Sequence, residues 1–139
     1  MIEVIYHGSK MRLIIGFGGN LGDPAEAFAR ALECLADEGW VLSTSLLWQT
    51  RAVGPAQPDY LNAADVIHWP GDLLALLARC RELEVAAGRD RATEEKWGPR
   101  VLDLDLLLAD GVVCRGPGLE VPHPRFHERR FALEPAAEV

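Results

Sequence analysis

The stretch WGPRVLDLDLLL, residues 97–108, decides the fold because it combines a strand pattern with two acidic residues. Successive side chains of a strand point to opposite faces of the sheet. One face is predicted to carry leucines that pack under helices: Leu102, Leu104, Leu106 and Leu108. The other is predicted to carry Val101, Asp103, Asp105 and Leu107. Because burying an unpaired carboxylate is costly, we expect this second face to stay open to a ligand.

The two aspartates suggest a metal site. Their Cα atoms should lie roughly 6.5–7 Å apart, close enough for both carboxylates to converge on one cation or a pair. Like charges this close repel unless they are neutralised, and Mg²⁺ typically takes one or two protein carboxylates together with water and substrate phosphates. The alternative is a solvated sheet face on which Asp105 pairs with an arginine. Spacing alone leaves both interpretations open, since D-x-D is a weak pattern.

Outward from this stretch, strands and helices alternate. Patterning predicts strands over residues 12–17, 41–50, 60–69, 101–108 and 112–114. One helix is predicted from the Asp23 cap and Pro24 to about Glu38, and a second from residue 72 to near Gly88. A final helical segment follows a proline-rich stretch. We expect the turn at residues 18–20, Gly-Gly-Asn, to need unusual backbone angles.

The predicted order β-α-β-β-α-β is typical of an α+β, ferredoxin-like fold. It consists of an antiparallel sheet with helices packed on one face, which leaves the other face for the active site. A length of 139 residues fits a single domain, 1–139. Residues 1–10 are interpreted as an N-terminal extension without function.

Composition and charge restrict the classes of function. A net charge of −7 argues against nucleic-acid binding. The absence of a secretory signal and of an apolar run of about 20 residues predicts a cytoplasmic protein without membrane contact. A monomeric state is compatible with the sequence. The odd set of cysteines favours reduced, inert thiols: Cys34, Cys80 and Cys114.

The basic residues gather in the second half of the chain, an arrangement that suits a small polyanion such as a nucleotide. Of the 14 lysines and arginines, ten follow residue 70. Among them, Arg79, Arg81 and Arg115 are interpreted as solvated surface charges.

Five sequence blocks in order resemble the 6-hydroxymethyl-7,8-dihydropterin pyrophosphokinase family of folate biosynthesis, and the resemblance covers residues 11–139. The blocks are GFGGNLGDP (16–24), GPAQPDYLNAA (54–64), LEVAAGRDR (83–91), WGPRVLDLDLLL (97–108) and VPHPRFHERRF (121–131). The resemblance implies transfer of the terminal diphosphate of ATP to the hydroxymethyl group of the pterin, with release of AMP. The implied partners are therefore the small-molecule substrates ATP and dihydropterin.

The resemblance also implies roles for individual residues. Two Mg²⁺ ions would be held by Asp103 and Asp105. The catalytic set would be Arg89, Arg91, Arg100, Asp103 and Asp105. ATP would be bound by Glu84, Trp97, Arg100, His123 and Arg129. The pterin would be bound by Thr50, Val53, Tyr60, Asn62 and Phe131.

Several of these assignments have plainer alternatives. Arg91 could be a loop charge, Glu84 a solvent-exposed helix residue, and Tyr60 and Phe131 core aromatics. A lone histidine such as His123 is more often structural than functional. For the whole chain the alternatives are a regulatory module that binds a small effector and a two-metal phosphohydrolase that uses water as the acceptor.

The chain departs from the family pattern at three places. Gly19 stands where relatives usually carry serine, and residues 1–10 precede the usual start of the family. The sequence also ends at residue 139, before a C-terminal segment that many relatives have. We expect this last difference to affect stability more than activity, since the proposed metal and phosphate ligands all precede it.

Overall fold

The computed structural model describes residues 3–6, 11–52, 54–70, 72–95, 98–116, 119–124, 135–137 and 139. Its helices are α1 (Pro24–Glu38) and α2 (Leu73–Ala86). Its strands are β1 (Glu3–Tyr6), β2 (Met11–Gly19), β3 (Trp40–Thr44), β4 (Trp48–Thr50), β5 (Tyr60–Trp69), β6 (Asp103–Ala109), β7 (Val112–Gly116) and β8 (Leu119–Val121). The protein is therefore an α+β structure, as predicted.

The main sheet has the strand order β3-β5-β2-β6, and each neighbouring pair is antiparallel. The short strand β4 also pairs with β5, beside Tyr60 to Asn62. Along β2, alternate residues are buried in the core: Met11, Leu13, Ile15 and Phe17. This strict alternation explains why β2 forms a central strand with one face covered.

Both helices begin at an aspartate cap and bury one side in the same core. The Asp23 carboxylate accepts a hydrogen bond from the backbone N–H of Glu26, and Asp72 does the same for Ala75. α1 buries Phe28, Ala31 and Leu35. α2 buries Leu73, Leu76, Cys80, Leu83 and Glu84. The helices thereby cover the apolar face of the sheet and leave the face of the aspartates uncovered by them.

A β-bulge interrupts the predicted alternation in β6. Ile14 pairs with Leu108 and Ile15 pairs with Leu106, so Leu107 is the extra residue. Leu104 and Leu106 are buried as expected, but the prediction that Leu108 packs under the helices is wrong, because Leu108 is 37% exposed. The bulge returns Leu108 to the open face, while Asp103 and Asp105 keep the alternation that places them there.

A second sheet, of order β1-β7-β8, lies at the end of β6. β1 pairs with β7 from Glu3↔Arg115 to Tyr6↔Val112, so part of the N-terminal extension belongs to the fold. Neither β1 nor β8 was predicted. The buried side chains of this sheet join the main core: Val112, Cys114, Leu119 and Val121.

Three further predictions differ from the structure or are only partly covered by it. The strand predicted over residues 41–50 is two strands, with residues 45–47 between them. The expectation of unusual backbone angles at residues 18–20 is wrong, since β2 continues to Gly19 and the positive φ of 65° occurs at Gly22. Of the final helical segment, residues 135–137 are helical, and residues 125–134 lie outside the described ranges.

The free cysteines are Cys34, Cys80 and Cys114, as expected. Burial raises the pKa of the Cys80 thiol to about 12, which makes it unreactive at neutral pH. No helix among the described residues is long and apolar enough to cross a bilayer.

Candidate active site

A cavity of about 360 Å³ opens beside the two aspartates of β6. Its charged and polar lining residues are Arg81, Glu84, Arg91, Asp103, Asp105, Glu120 and His123. Asp103 and Asp105 are half-buried, whereas Leu104 and Leu106 beside them are buried. The cavity thus brings together four carboxylates, two arginines and a histidine from separate parts of the sequence.

The two carboxylates fit a hard divalent cation. Both supply oxygen ligands to the same cavity. Within the described part of the chain, no three His, Cys, Asp or Glu side chains form a group that could enclose a metal. A cation held here would therefore complete its coordination with water or with oxygens of a bound phosphate, which is the usual arrangement for Mg²⁺.

Glu84 is a buried anchor on α2, with a side chain only 1% exposed. Its carboxylate accepts hydrogen bonds from Arg89 Nη1 at 2.6 Å, from Arg91 Nη2 at 3.0 Å and from the backbone N–H of Leu104 at 3.0 Å. The alternative of a solvent-exposed glutamate is wrong. Glu84 instead links α2 to β6 and to both arginines of the following loop, so Arg91 is more than a plain loop charge.

Arg89 lies at the centre of a charged cluster, defined here as Glu84, Arg89, Glu94 and Asp103. Its side chain is 5% exposed. Nη1 donates to Glu84, to the Leu102 carbonyl and to Asp103 Oδ1, the last at 2.8 Å. Nε and Nη2 donate to the two carboxylate oxygens of Glu94 at 2.6 and 3.1 Å. Burial favours the neutral guanidine, but hydrogen bonding to Glu94 and then the interactions with Asp103 and Glu84 raise the pKa of Arg89.

Arg100 is fixed by the turn that follows β2. Its backbone N–H donates to Asn20 Oδ1 at 2.9 Å, and its carbonyl accepts from the backbone N–H groups of Asn20 and Leu21. Asn20 Nδ2 also donates to Gln57 Oε1 and to the Pro58 carbonyl. The Arg100 guanidinium donates to carbonyl oxygens of its own loop, and its Nε lies 3.4 Å from Glu94 Oε1. Asn20 was not among the predicted site residues, although its buried amide joins three segments at the site.

The neutral cluster, defined as Thr50, Tyr60 and Asn62, lies on β4 and β5. Asn62 is buried and donates from Nδ2 to Thr50 Oγ1 at 2.7 Å. The hydroxyl of Tyr60 donates to the Gly98 carbonyl at 2.7 Å. Burial is the main factor that raises the pKa of Tyr60, and Asp103 adds to it. Tyr60 is only half-buried and lies outside the core, so the core-packing alternative for it is wrong.

Gly18 joins the two clusters. It pairs with Asn62 on β5 and with Asp103 on β6. A Cβ atom at Gly18 would lie 3.4 Å from Asn62 Oδ1 and 3.9 Å from the Asp103 Cβ, so glycine keeps the sheet surface between them open. From the sequence alone, Gly18 was predicted only as part of a turn. Its position between two polar strand residues becomes evident only from the pairing of β2 with β5 and β6.

Gly19 has a steric reason to depart from the usual serine. A Cβ atom there would lie 2.7 Å from the Val101 carbonyl oxygen, closer than real Cβ contacts allow. Because that oxygen belongs to the backbone beside Arg100, a side chain at residue 19 would force the two segments apart. The glycine thus permits the close contact that positions Arg100.

The remaining residues named from the sequence either line the cavity or lie outside the described ranges. His123 lines the cavity, and its backbone N–H donates to the Leu107 carbonyl at 2.8 Å. Arg81, interpreted as a surface charge, is exposed but lines the same cavity. Four predicted residues lie outside the described ranges: Val53, Trp97, Arg129 and Phe131.

Comparison with known proteins gives consistent matches. The family model of 7,8-dihydro-6-hydroxymethylpterin-pyrophosphokinase matches residues 14–139. Three relatives share the name 2-amino-4-hydroxy-6-hydroxymethyldihydropteridine pyrophosphokinase. The Methylorubrum extorquens protein is 38% identical, over 92% of this chain and 82% of its own length. The Haemophilus influenzae protein is 34% identical over 90% and 79%, and the Pseudomonas putida protein 36% identical over 84% and 98%.

Proposed function

The chain belongs to the 7,8-dihydro-6-hydroxymethylpterin-pyrophosphokinase family, and we propose that the cavity beside Asp103 and Asp105 is where its reaction takes place. The protein is a pyrophosphokinase of folate biosynthesis that transfers diphosphate from ATP to hydroxymethyldihydropterin. The observation that carries the assignment of the site is the convergence of Asp103, Asp105, Arg91 and His123 on one cavity.

The nucleotide occupies the charged side of the site in this proposal. Arg89, Arg91 and Arg100 bind phosphate oxygens, since guanidinium groups stay charged and can bind them in a bidentate manner. His123 lines the same cavity, and Glu84 anchors Arg89 and Arg91 beside it. His123 serves as a hydrogen-bonding group rather than an acid or base. Trp97 and Arg129 are assigned to ATP by resemblance alone.

Asp103 and Asp105 hold Mg²⁺ in this proposal, and the number of ions is proposed as two. The support is a pair of carboxylates that face one cavity and leave coordination positions for water and phosphate. When bound, the metal supplies positive charge that stabilises the attacking and leaving oxygens of the displacement. Arg89 donates to Asp103, so it orients one of the two carboxylates.

The pterin occupies the neutral side. Asn62 can present both a donor and an acceptor to the edge of the heterocycle, and its bond to Thr50 fixes the orientation of its amide. Tyr60 holds the Gly98 carbonyl beside this position. Val53 and Phe131 are assigned to the pterin pocket by resemblance.

In the reaction, the hydroxymethyl oxygen of the pterin forms a bond to the β-phosphorus of ATP and releases its proton to solvent. The bond between that phosphorus and the oxygen bridging to the α-phosphate breaks, and AMP leaves. Little covalent chemistry is required of the protein in such a transfer. The proposed contribution of this chain is to align the two substrates across Gly18 and to neutralise the charge on the transferred group with arginines.

We propose further that the strand order corresponds to the ferredoxin-like arrangement, as supported by the antiparallel order β3-β5-β2-β6 and the two helices that pack on its apolar face. The single domain over residues 1–139, the lack of a role for residues 1–10, the monomeric state and the cytoplasmic location stay predictions.

Incubation of the purified protein with ATP, Mg²⁺ and 6-hydroxymethyl-7,8-dihydropterin, followed by chromatography of the nucleotides, tests the function. We expect AMP that forms only when the pterin is present. AMP or ADP formed without the pterin would indicate a phosphohydrolase. Unchanged ATP together with measurable nucleotide binding would indicate a regulatory module.

A further inference from the structure

Among the described residues, Glu94 is the only side chain of the loop between α2 and β6 that contacts Arg89. The other acceptors are Glu84, on α2, and the Leu102 carbonyl and Asp103, at the start of β6. These positions are fixed by packing of α2 and β6 in the core. Glu94 can therefore leave Arg89 without any displacement of a helix or strand.

The Glu94 contact has the bidentate form in which arginine also binds phosphate. Its two oxygens accept from Nε and Nη2 of Arg89, the bidentate pattern with which arginine binds both carboxylate and phosphate. One of these oxygens also lies 3.4 Å from Arg100 Nε. One anion thus lies between two of the arginines that were assigned to phosphates.

Arg89 is not accessible to a ligand while this contact persists. Its side chain is 5% exposed, and each of its three nitrogen atoms donates to a protein acceptor. The Nε and Nη2 edge is the one that loss of Glu94 would release. Glu94 itself has a side chain 15% exposed, so it lies nearer to solvent than Arg89.

We propose that the Glu94 carboxylate occupies the position of a nucleotide phosphate between Arg89 and Arg100 and is displaced when ATP binds. This inference rests on the proposed function, because it takes Arg89 and Arg100 as phosphate ligands. Glu94 is a positioning residue: it holds both guanidinium groups in place before the nucleotide arrives. The consequence is that ATP must compete with an internal carboxylate for the same donors.

Calorimetric titration of the full chain with α,β-methylene-ATP and Mg²⁺ tests the inference. We expect Glu94→Gln to bind this analogue roughly five- to tenfold more tightly than the wild type, since the competing charge is removed. Glu95→Gln is the matched control, because Glu95 is an exposed carboxylate in the same loop and its loss changes net charge equally. We expect its affinity to change by less than about twofold.

Adenosine, which lacks phosphates, separates competition from a general change in the loop. Its affinity should be the same for Glu94→Gln and the wild type. The inference would be overturned if Glu94→Gln bound the analogue no more tightly than Glu95→Gln does. It would also be overturned if Glu94→Gln gained as much affinity for adenosine as for the analogue. If Glu94→Gln does not fold, Glu94→Asp keeps the charge but shortens the side chain, and the same comparison with a smaller expected gain applies.

Arg100→Ala distinguishes failure of this inference from failure of the proposed function. A weaker affinity of Arg100→Ala for the analogue, without a gain in Glu94→Gln, would overturn only the role of Glu94. An unchanged affinity of Arg100→Ala would instead contradict the assignment of the phosphate site.

Discussion

The charged cluster and the neutral cluster meet at Gly18. Both hold polar groups at a partly buried site, but they stabilise these groups in different ways. In the charged cluster, the Arg89 guanidinium is surrounded by three carboxylates, and the buried charges depend on one another. In the neutral cluster, Asn62 and Thr50 share one hydrogen bond and carry no charge. The first arrangement suits a polyanion and the second a flat heterocycle. The comparison predicts that substitutions on the charged side lower activity, that loss of a buried partner there also lowers stability, and that substitutions on the neutral side affect substrate binding alone.

The largest expected effect comes from loss of Asp105. Asp105→Ala should reduce pterin-dependent AMP formation by roughly a thousandfold or more, because the proposed cation would lose a ligand. The circular dichroism spectrum and the melting temperature should stay close to those of the wild type, since Asp105 is only half-buried.

Asp110→Ala is the matched control, because Asp110 lies in the turn after β6 and pairs with Arg12 at the surface. Its turnover should match that of the wild type. A normal rate for Asp105→Ala would remove the metal assignment, and with it the charged half of the comparison.

The second largest effect concerns stability. Glu84→Gln leaves Arg89 without one of its buried partners, and loss of one partner of a buried ion pair typically costs about 3–5 kcal/mol. Urea unfolding should show a decrease in the free energy of unfolding of this order. Glu82→Gln on the same helix, with a side chain 67% exposed, should change it by less than about 1 kcal/mol. Equal effects of the two substitutions would mean that burial of Glu84 has no special role.

Asp65 shows how much folding stability is lost when a carboxyl group is buried without an arginine partner. It lies on β5, three residues after Asn62, and is 5% exposed. No ion pair of Asp65 occurs within the described ranges, and burial alone raises its pKa from 3.8 to about 6. A pKa higher in the folded than in the unfolded state means that folding favours the protonated form. The penalty is therefore absent below about pH 3.8, grows between pH 3.8 and 6, and is complete above pH 6.

Asp65→Asn should remove this penalty. We expect the variant to be about 1–3 kcal/mol more stable than the wild type at pH 7.5 and to match it near pH 4. Urea unfolding of both proteins from pH 4 to 7.5 measures the difference, in which the other titrating groups cancel. A difference that does not change with pH would contradict the raised pKa of Asp65.

The sequence predicts the part of the fold that depends on local pattern. The alternation in β2 and the aspartate caps of α1 and α2 are strong local signals, and β5 was predicted with the bounds that it has. The strands β1 and β8 were missed, because strands of four and three residues carry too little pattern and depend on pairing with β7. The exposed Leu108 was missed because a bulge arises from the pairing of two strands.

Site residues that belong to sequence motifs could be predicted, whereas those defined by tertiary contacts could not. Asp103 and Asp105 follow from strand alternation, and His123 from its motif. The burial of Glu84 does not, because a glutamate on a helix is usually exposed, and its burial here depends on the arginines of the next loop and on the backbone N–H of Leu104. The roles of Asn20 and Gly18 likewise depend on which segments pair with β2.

The smallest expected effect separates the two sides most sharply. Asn62→Ala should raise the KM for the pterin roughly tenfold, because the heterocycle loses a donor and an acceptor, and leave the Kd for α,β-methylene-ATP unchanged. Thr50→Val, which removes the hydroxyl that orients Asn62 at 2.7 Å, should raise the same KM by only a few fold. If Asn62→Ala instead weakened the ATP analogue as much as the pterin, the two clusters would act as one unit. The pairing of Gly18 with both strands would then couple the substrates rather than separate them.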